Sequence, residues 1–114
     1  MGENIREKIA DNPYFQIETV FERMDKFKKG YLVPDDFSEF MLENQIYPSK
    51  IELYLVFRDF DQERAGVVTL QQLAITLLPK ENPTLYKKAA SRRHYPPGLR
   101  LEIDLEYILA KFFE

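Results

Sequence analysis

Asp25 is followed five residues on by Gly30 and eleven residues on by Asp36. A carboxylate at each end of a twelve-residue span, with glycine sixth, is a frame that can wrap oxygens around a hard cation such as Ca²⁺. Such an ion takes six to eight oxygens, which a twelve-residue loop can supply from positions 1, 3, 5, 7 (a backbone carbonyl) and 9 and from a bidentate Glu at 12. Here position 3 is Phe27, position 5 is Lys29, position 9 is Val33, and Asp36 at 12 is shorter than Glu. Lys26, Lys28 and Lys29 add three ammonium groups where a dication would sit, a repulsion that water only partly screens. The first span is therefore expected to bind no calcium. Asp25 and Asp36 then read as vestigial positions of such a site, and Lys28 or Lys29 is expected to contact one of them as counter-charge.

A second span, Asp61 to Gln72, keeps more. Asp61 is at position 1, Glu63 at 3 and Thr69 at 9, with the Val67 carbonyl at 7. Ala65 at position 5 offers no donor, Gln72 at 12 is a neutral amide, and Arg64 adds a positive charge. Gln72 has a simpler role, closing a capping box with Thr69. No metal or other cofactor is expected. If calcium binds anywhere, it binds weakly through Asp61, Glu63 and Thr69.

Other chemistries find little support. The 114 residues include no cysteine and one histidine, His94, which removes disulfides, thiolate nucleophiles and the usual zinc sites. There is no glycine-rich phosphate loop, and close carboxylates such as Asp35–Asp36 and Asp59–Asp61 read as loop and cap residues. Catalysis is not expected. No apolar run approaches the roughly 20 residues that span a bilayer, and no N-terminal hydrophobic segment follows a basic patch. A soluble, cytoplasmic domain with no membrane contact is the expectation.

The elements that hold the two spans repeat with an offset of 36 residues. Ile17, Val20, Phe21 and Met24 form one helical stripe, and Leu53, Val56, Phe57 and Phe60 form it again. Asp25 maps on Asp61, Gly30 on Gly66, Leu32 on Val68, Phe37 on Leu73 and Met41 on Leu77. Helix–loop–helix twice is the reading. Asn12 before Pro13 suits a helix start, Ser49 with Glu52 and Thr69 with Gln72 read as capping boxes, and Pro34 opens the helix leaving the first span. Gly30 and Gly66 hold backbone positions that other residues resist. Leu32 and Val68 stand at matching places in the two copies, among good strand formers.

The segments "FERMDKFKKGYLVPDDF" (Phe21 to Phe37) and "FRDFDQERAGVVTLQQL" (Phe57 to Leu73) resemble EF-hands. Their spacing resembles one lobe of a calmodulin-like protein. The resemblance implies an all-α fold of paired EF-hands, helix–loop–helix twice with a bridge between the loops, over residues 13–78. Residues 1–12 form an arm or short helix with Ile5 and Ile9, and 79–100 a basic, proline-containing strap with a short helix near Leu85 to Ala90. Residues 101–114 form an amphipathic helix with Asp104 as its N-cap. "RRHYPPGLRLEIDLEYILAKFFE" further resembles the C-terminal extension of calmodulin-like proteins from ciliated protists.

The strap from Lys80 to Arg100 carries six cations against Glu81, a net +5 in a chain of net −3. Lys87, Lys88, Arg92 and Arg93 could meet an anionic partner or lie on the chain's own acidic face. The second is expected, and nucleic acid is not. In calcium sensors the ion opens a groove for an amphipathic helix. Phe40, Met41, Leu77, Leu105, Ile108, Leu109, Phe112 and Phe113 are the residues expected to meet a partner there, unless the last helix fills the groove itself. The resemblance thus implies a calcium-independent protein-interaction module, a structural or adaptor subunit of a multiprotein complex in the cytoskeleton or a cilium axoneme. The alternative is a low-affinity calcium sensor acting through Asp61–Gln72.

Overall fold

The computed structural model describes residues 2–79, 82–97 and 100–113, and these form an all-α fold. The helices are α1 (Gly2–Asp11), α2 (Ile17–Met24), α3 (Pro34–Glu43), α4 (Lys50–Phe60), α5 (Leu70–Leu77), α6 (Pro83–Ala90) and α7 (Ile103–Phe113). Lys80, Glu81, Gly98 and Leu99 of the basic strap lie outside the described residues. None of the described helices is long and apolar enough to cross a membrane.

Local chemistry sets most helix ends. Ser49 Oγ accepts from the Glu52 N–H at 3.2 Å while Glu52 accepts from the Ser49 N–H at 2.8 Å, and Thr69 with Gln72 repeats the exchange. Pro34, with its φ already helical, opens α3. Two starts differ from expectation. Asn12 does not cap a helix at Pro13; its Oδ1 accepts from the Tyr14 N–H at 2.8 Å, closing a turn that drops Phe15 into the core. The helix begins at Ile17, capped by Gln16, whose Oε1 accepts from the Thr19 N–H at 2.9 Å. Asp104 likewise is not the cap of α7. Glu102 takes that place, accepting from the Asp104 and Leu105 N–H groups at 3.1 Å each. The Asp104 N–H first, then the Asn12 side-chain amide and the Leu105 N–H, hold the Glu102 carboxyl below its ordinary pKa.

α1 packs on α6 and α7, α2 on α3 and α5, α4 on α3 and α5, and α7 also on α3. At the centre, the Phe37 ring lies 5.4 Å from Phe57, 5.1 Å from Phe60 and 5.6 Å from Phe113. Phe40 meets Phe113 edge to face at 5.5 Å. Such pairs add about 0.5–1.5 kcal/mol each beyond the area they bury. The last helix thus completes the core of the first two helical pairs.

Candidate functional site

The two loops share one backbone. Asp25 accepts from the Lys29 and Gly30 N–H groups at 3.0 and 2.8 Å, and Asp61 from those of Ala65 and Gly66 at 3.0 and 2.7 Å. Lys28 and Arg64, at equivalent positions, have φ of +53° and +55°, and Gly30 and Gly66 follow at +88° and +82°. Leu32 and Val68 exchange two N–H···O bonds of 2.8 Å, an antiparallel bridge with both side chains buried. The aspartate at each loop's start therefore serves first as a backbone organiser.

The loops part at position 5. In the first, the Lys29 ammonium lies 3.3 Å from Asp25 Oδ1 and 3.0 Å from Asp36 Oδ1. Both aspartates are buried, at 5% and 7% exposure. Burial alone would lower the Lys29 pKa, but the hydrogen bonds and charges of Asp36 and Asp25 outweigh it and raise the pKa above its ordinary value. Lys28, by contrast, is exposed. Asp36 also accepts from the Val33 N–H through Oδ2 at 2.8 Å, so each of its oxygens has a partner.

In the second loop Ala65 brings no cation and position 12 brings no charge. Gln72 Oε1 accepts from the Thr69 N–H at 3.0 Å and Thr69 Oγ1 from the Gln72 N–H at 3.3 Å. Both side chains are committed to the helix start, and Glu63 stands exposed. A lysine at position 5 goes with a carboxylate at 12, and alanine goes with an amide. The buried Asp61 is met by backbone N–H donors where Asp25 also meets an ammonium.

The residues first assigned to a partner surface lie mostly in the core. Met41, Leu77, Leu105 and Leu109 are fully buried, Phe40 and Phe113 nearly so, and Ile108 and Phe112 are half-buried. Helix α7 occupies the apolar face that Phe37, Phe40 and Phe60 would otherwise present.

A buried ion pair that the apolar periodicity does not reveal fixes α7 there. Arg23, 3% exposed, donates through Nε and Nη2 to Glu106 Oε1 and Oε2 at 3.2 and 2.6 Å. Glu106, 4% exposed, also accepts from Asn44 Nδ2 at 2.9 Å and from the Leu101 N–H at 3.0 Å. Arg23 further pairs with Glu43 at 2.9 Å and lies 4.9 Å from the Phe40 ring centroid. The Glu43 carboxyl, which burial would raise, is held below its ordinary pKa by Lys26 and Arg23. The available signal was positional: Glu106 and Arg23 each interrupt the apolar side of a helix, next to Leu105 and Met24.

The basic strap divides. Arg92 reaches inward and donates to the Asn12 and Phe15 carbonyls, holding the α1–α2 turn. His94 contacts Glu22, and Arg100 donates to the Glu43 carbonyl. Lys87, Lys88 and Arg93 stay exposed. No family model, curated protein or solved structure matches the chain.

Proposed function

We propose that this chain is a degenerate EF-hand pair, calmodulin-like in layout, that has replaced calcium by internal counter-charge. It acts as a constitutive protein-interaction module, a structural or adaptor subunit of a larger assembly. One observation carries the reading: the Lys29 ammonium stands between the buried carboxylates of Asp25 and Asp36, the two loop ends a calcium ion would join. The matched hydrogen bonding of the two loops and the Leu32–Val68 bridge support the pairing. A sensor gains its partner surface when calcium opens its helices. This module has no such step, because α7 already covers the aromatic face in cis. Partners bind the closed form. A cytoplasmic site on the cytoskeleton or a cilium axoneme rests on the resemblance of the tail alone.

Two measurements test the reading together. Calorimetric titration with millimolar Ca²⁺ is expected to give no saturable heat, and the proteins that co-purify with the tagged chain are expected to be the same in EGTA and in calcium. Saturable heat with a calcium-gained partner set would establish the sensor acting through Asp61–Gln72 instead.

A further inference from the structure

The turn between α1 and α2 and the basic strap enclose a cleft of about 460 Å³. Pro13, Tyr14 and Phe15 line it from the turn, and Arg92, Arg93 and Tyr95 from the strap. Its two walls are tied together. The Tyr95 hydroxyl donates to the Tyr14 carbonyl, and Thr19 Oγ1 on α2 donates to the Tyr95 carbonyl. Arg92 Nη1 donates to the Asn12 and Phe15 carbonyls at 2.5 and 3.1 Å, which fixes its guanidinium in the wall. A cleft held in this way loses little freedom when a ligand arrives.

Its charge is one-sided. Two guanidinium groups line the cleft, and among the described residues no carboxylate does. Arg92 Nη2 is buried with no acceptor among the described residues, and the exposed Arg93 side chain has no partner among them either. Carboxylates around the strap are engaged elsewhere: Glu22 contacts His94, and Glu102 caps α7 and accepts from Asn12. Asp11 acts on Arg92 through its charge without an ion pair. Burial outweighs it and holds the Arg92 pKa below its ordinary value. A cation so placed is stabilised by an anion that brings its own acceptors. The remaining lining is apolar: the tyrosine, proline and phenylalanine faces suit a hydrocarbon or aromatic group, and the guanidinium fork suits the two oxygens of a carboxylate. An acidic side chain has the carboxylate and no apolar group beside it, whereas the last residue of a chain carries both on one Cα.

We propose that this cleft binds the C-terminal residue of a partner chain, its free carboxylate on Arg92 and Arg93 and its apolar side chain between Tyr14 and Tyr95. The cleft's volume lies within the range of about 300–1,000 Å³ typical of pockets that enclose small groups. The proposal rests on the reading of an interaction module and gives it a partner chemistry. Because the cleft shares no residue with either loop, the calcium titration can fail while the cleft binds its ligand, and the reverse.

Amide-resolved NMR of the full chain tests it, with N-acetyl-phenylalanine standing for the chain end and N-acetyl-phenylalaninamide, acetate and inorganic phosphate titrated beside it. The free acid is expected to shift the Phe15, Gln16 and Tyr95 amides saturably. The neutral amide and acetate, each lacking one of the two groups the cleft takes, are expected to bind about tenfold more weakly or worse. Arg93→Gln is expected to weaken the acid about tenfold. Tyr14→Ala, whose backbone carbonyl still accepts from Tyr95, is expected to weaken it as well. Lys88→Gln, which removes an exposed cation of α6 outside the cleft, is expected to change nothing. Amide spectra otherwise like the parent's confirm that these surface changes leave the fold alone. No saturable shift into the high millimolar range, equal binding of acid and amide or of acid and acetate, phosphate bound more tightly than the acid, or binding indifferent to Arg93→Gln would each overturn the proposal.

Discussion

A single ammonium group decides how the first loop behaves. Lys29 has three donors on a flexible stem, enough to contact Asp25 and Asp36 at once and cancel part of their repulsion. Lys29→Met keeps the length and removes the charge, leaving two buried carboxylates uncompensated. Urea unfolding at neutral pH is expected to show a loss of about 1–3 kcal/mol, at the lower end because Lys29 is partly exposed. The raised Lys29 pKa sets the pH window. The contribution is fully present below the ordinary lysine value of 10.5 and is lost as pH rises through the higher folded value. The parent and Lys29→Met are therefore expected to converge in stability only in strong alkali. Glu43 has the opposite sign. With its folded pKa below the ordinary 4.5, its support is present above that value and is lost as pH falls through the folded one. Glu43→Gln is expected to flatten that part of the acid-unfolding curve.

At the scale of elements, α7 is part of the domain's core and not an appendage. Phe113 touches the rings of Phe37, Phe40 and Phe60, so Phe113→Ala is expected to cost about 3–5 kcal/mol in chemical unfolding. Glu106→Gln, which leaves Arg23 without its bidentate partner, is expected to cost about 2–3 kcal/mol with little change of helix content. A Cβ on Gly66 would meet nothing within 4 Å, so Gly66→Ala isolates the strain of its +82° φ, expected at about 1 kcal/mol. Most of this layout was legible in the sequence. The repeated stripes, the glycines and the capping boxes at Ser49 and Thr69 are local signals, and the Leu32–Val68 bridge was implied by the resemblance of the two loops. The helix starts at Ile17 and Ile103 were misread because Asn12 and Asp104 have good capping chemistry by type. Tertiary demand prevailed: Phe15 had to reach the core, and Glu102 reached the α7 donors first. The Arg23–Glu106 pair was illegible for a related reason, since its partners are separated by 83 residues and only the folded chain joins them.

At the scale of the molecule, the two loops hold their leading aspartates by different means: Asp25 meets backbone donors and an ammonium, Asp61 backbone donors. The first carries Lys29 and the carboxylate of Asp36 where the second carries Ala65 and the amide of Gln72. The Leu32–Val68 bridge joins the loops and α7 covers the aromatic face, and on the proposed reading this conformation needs no ion to select it. Amide-resolved NMR during a calcium titration tests this most directly, because Gly30 and Gly66 donate to Asp25 and Asp61 at the heart of each loop. The two glycine amides and the resonances of α7 are expected to stay in place into the millimolar range. A saturable shift of either glycine, accompanied by movement of α7 resonances, would contradict the account.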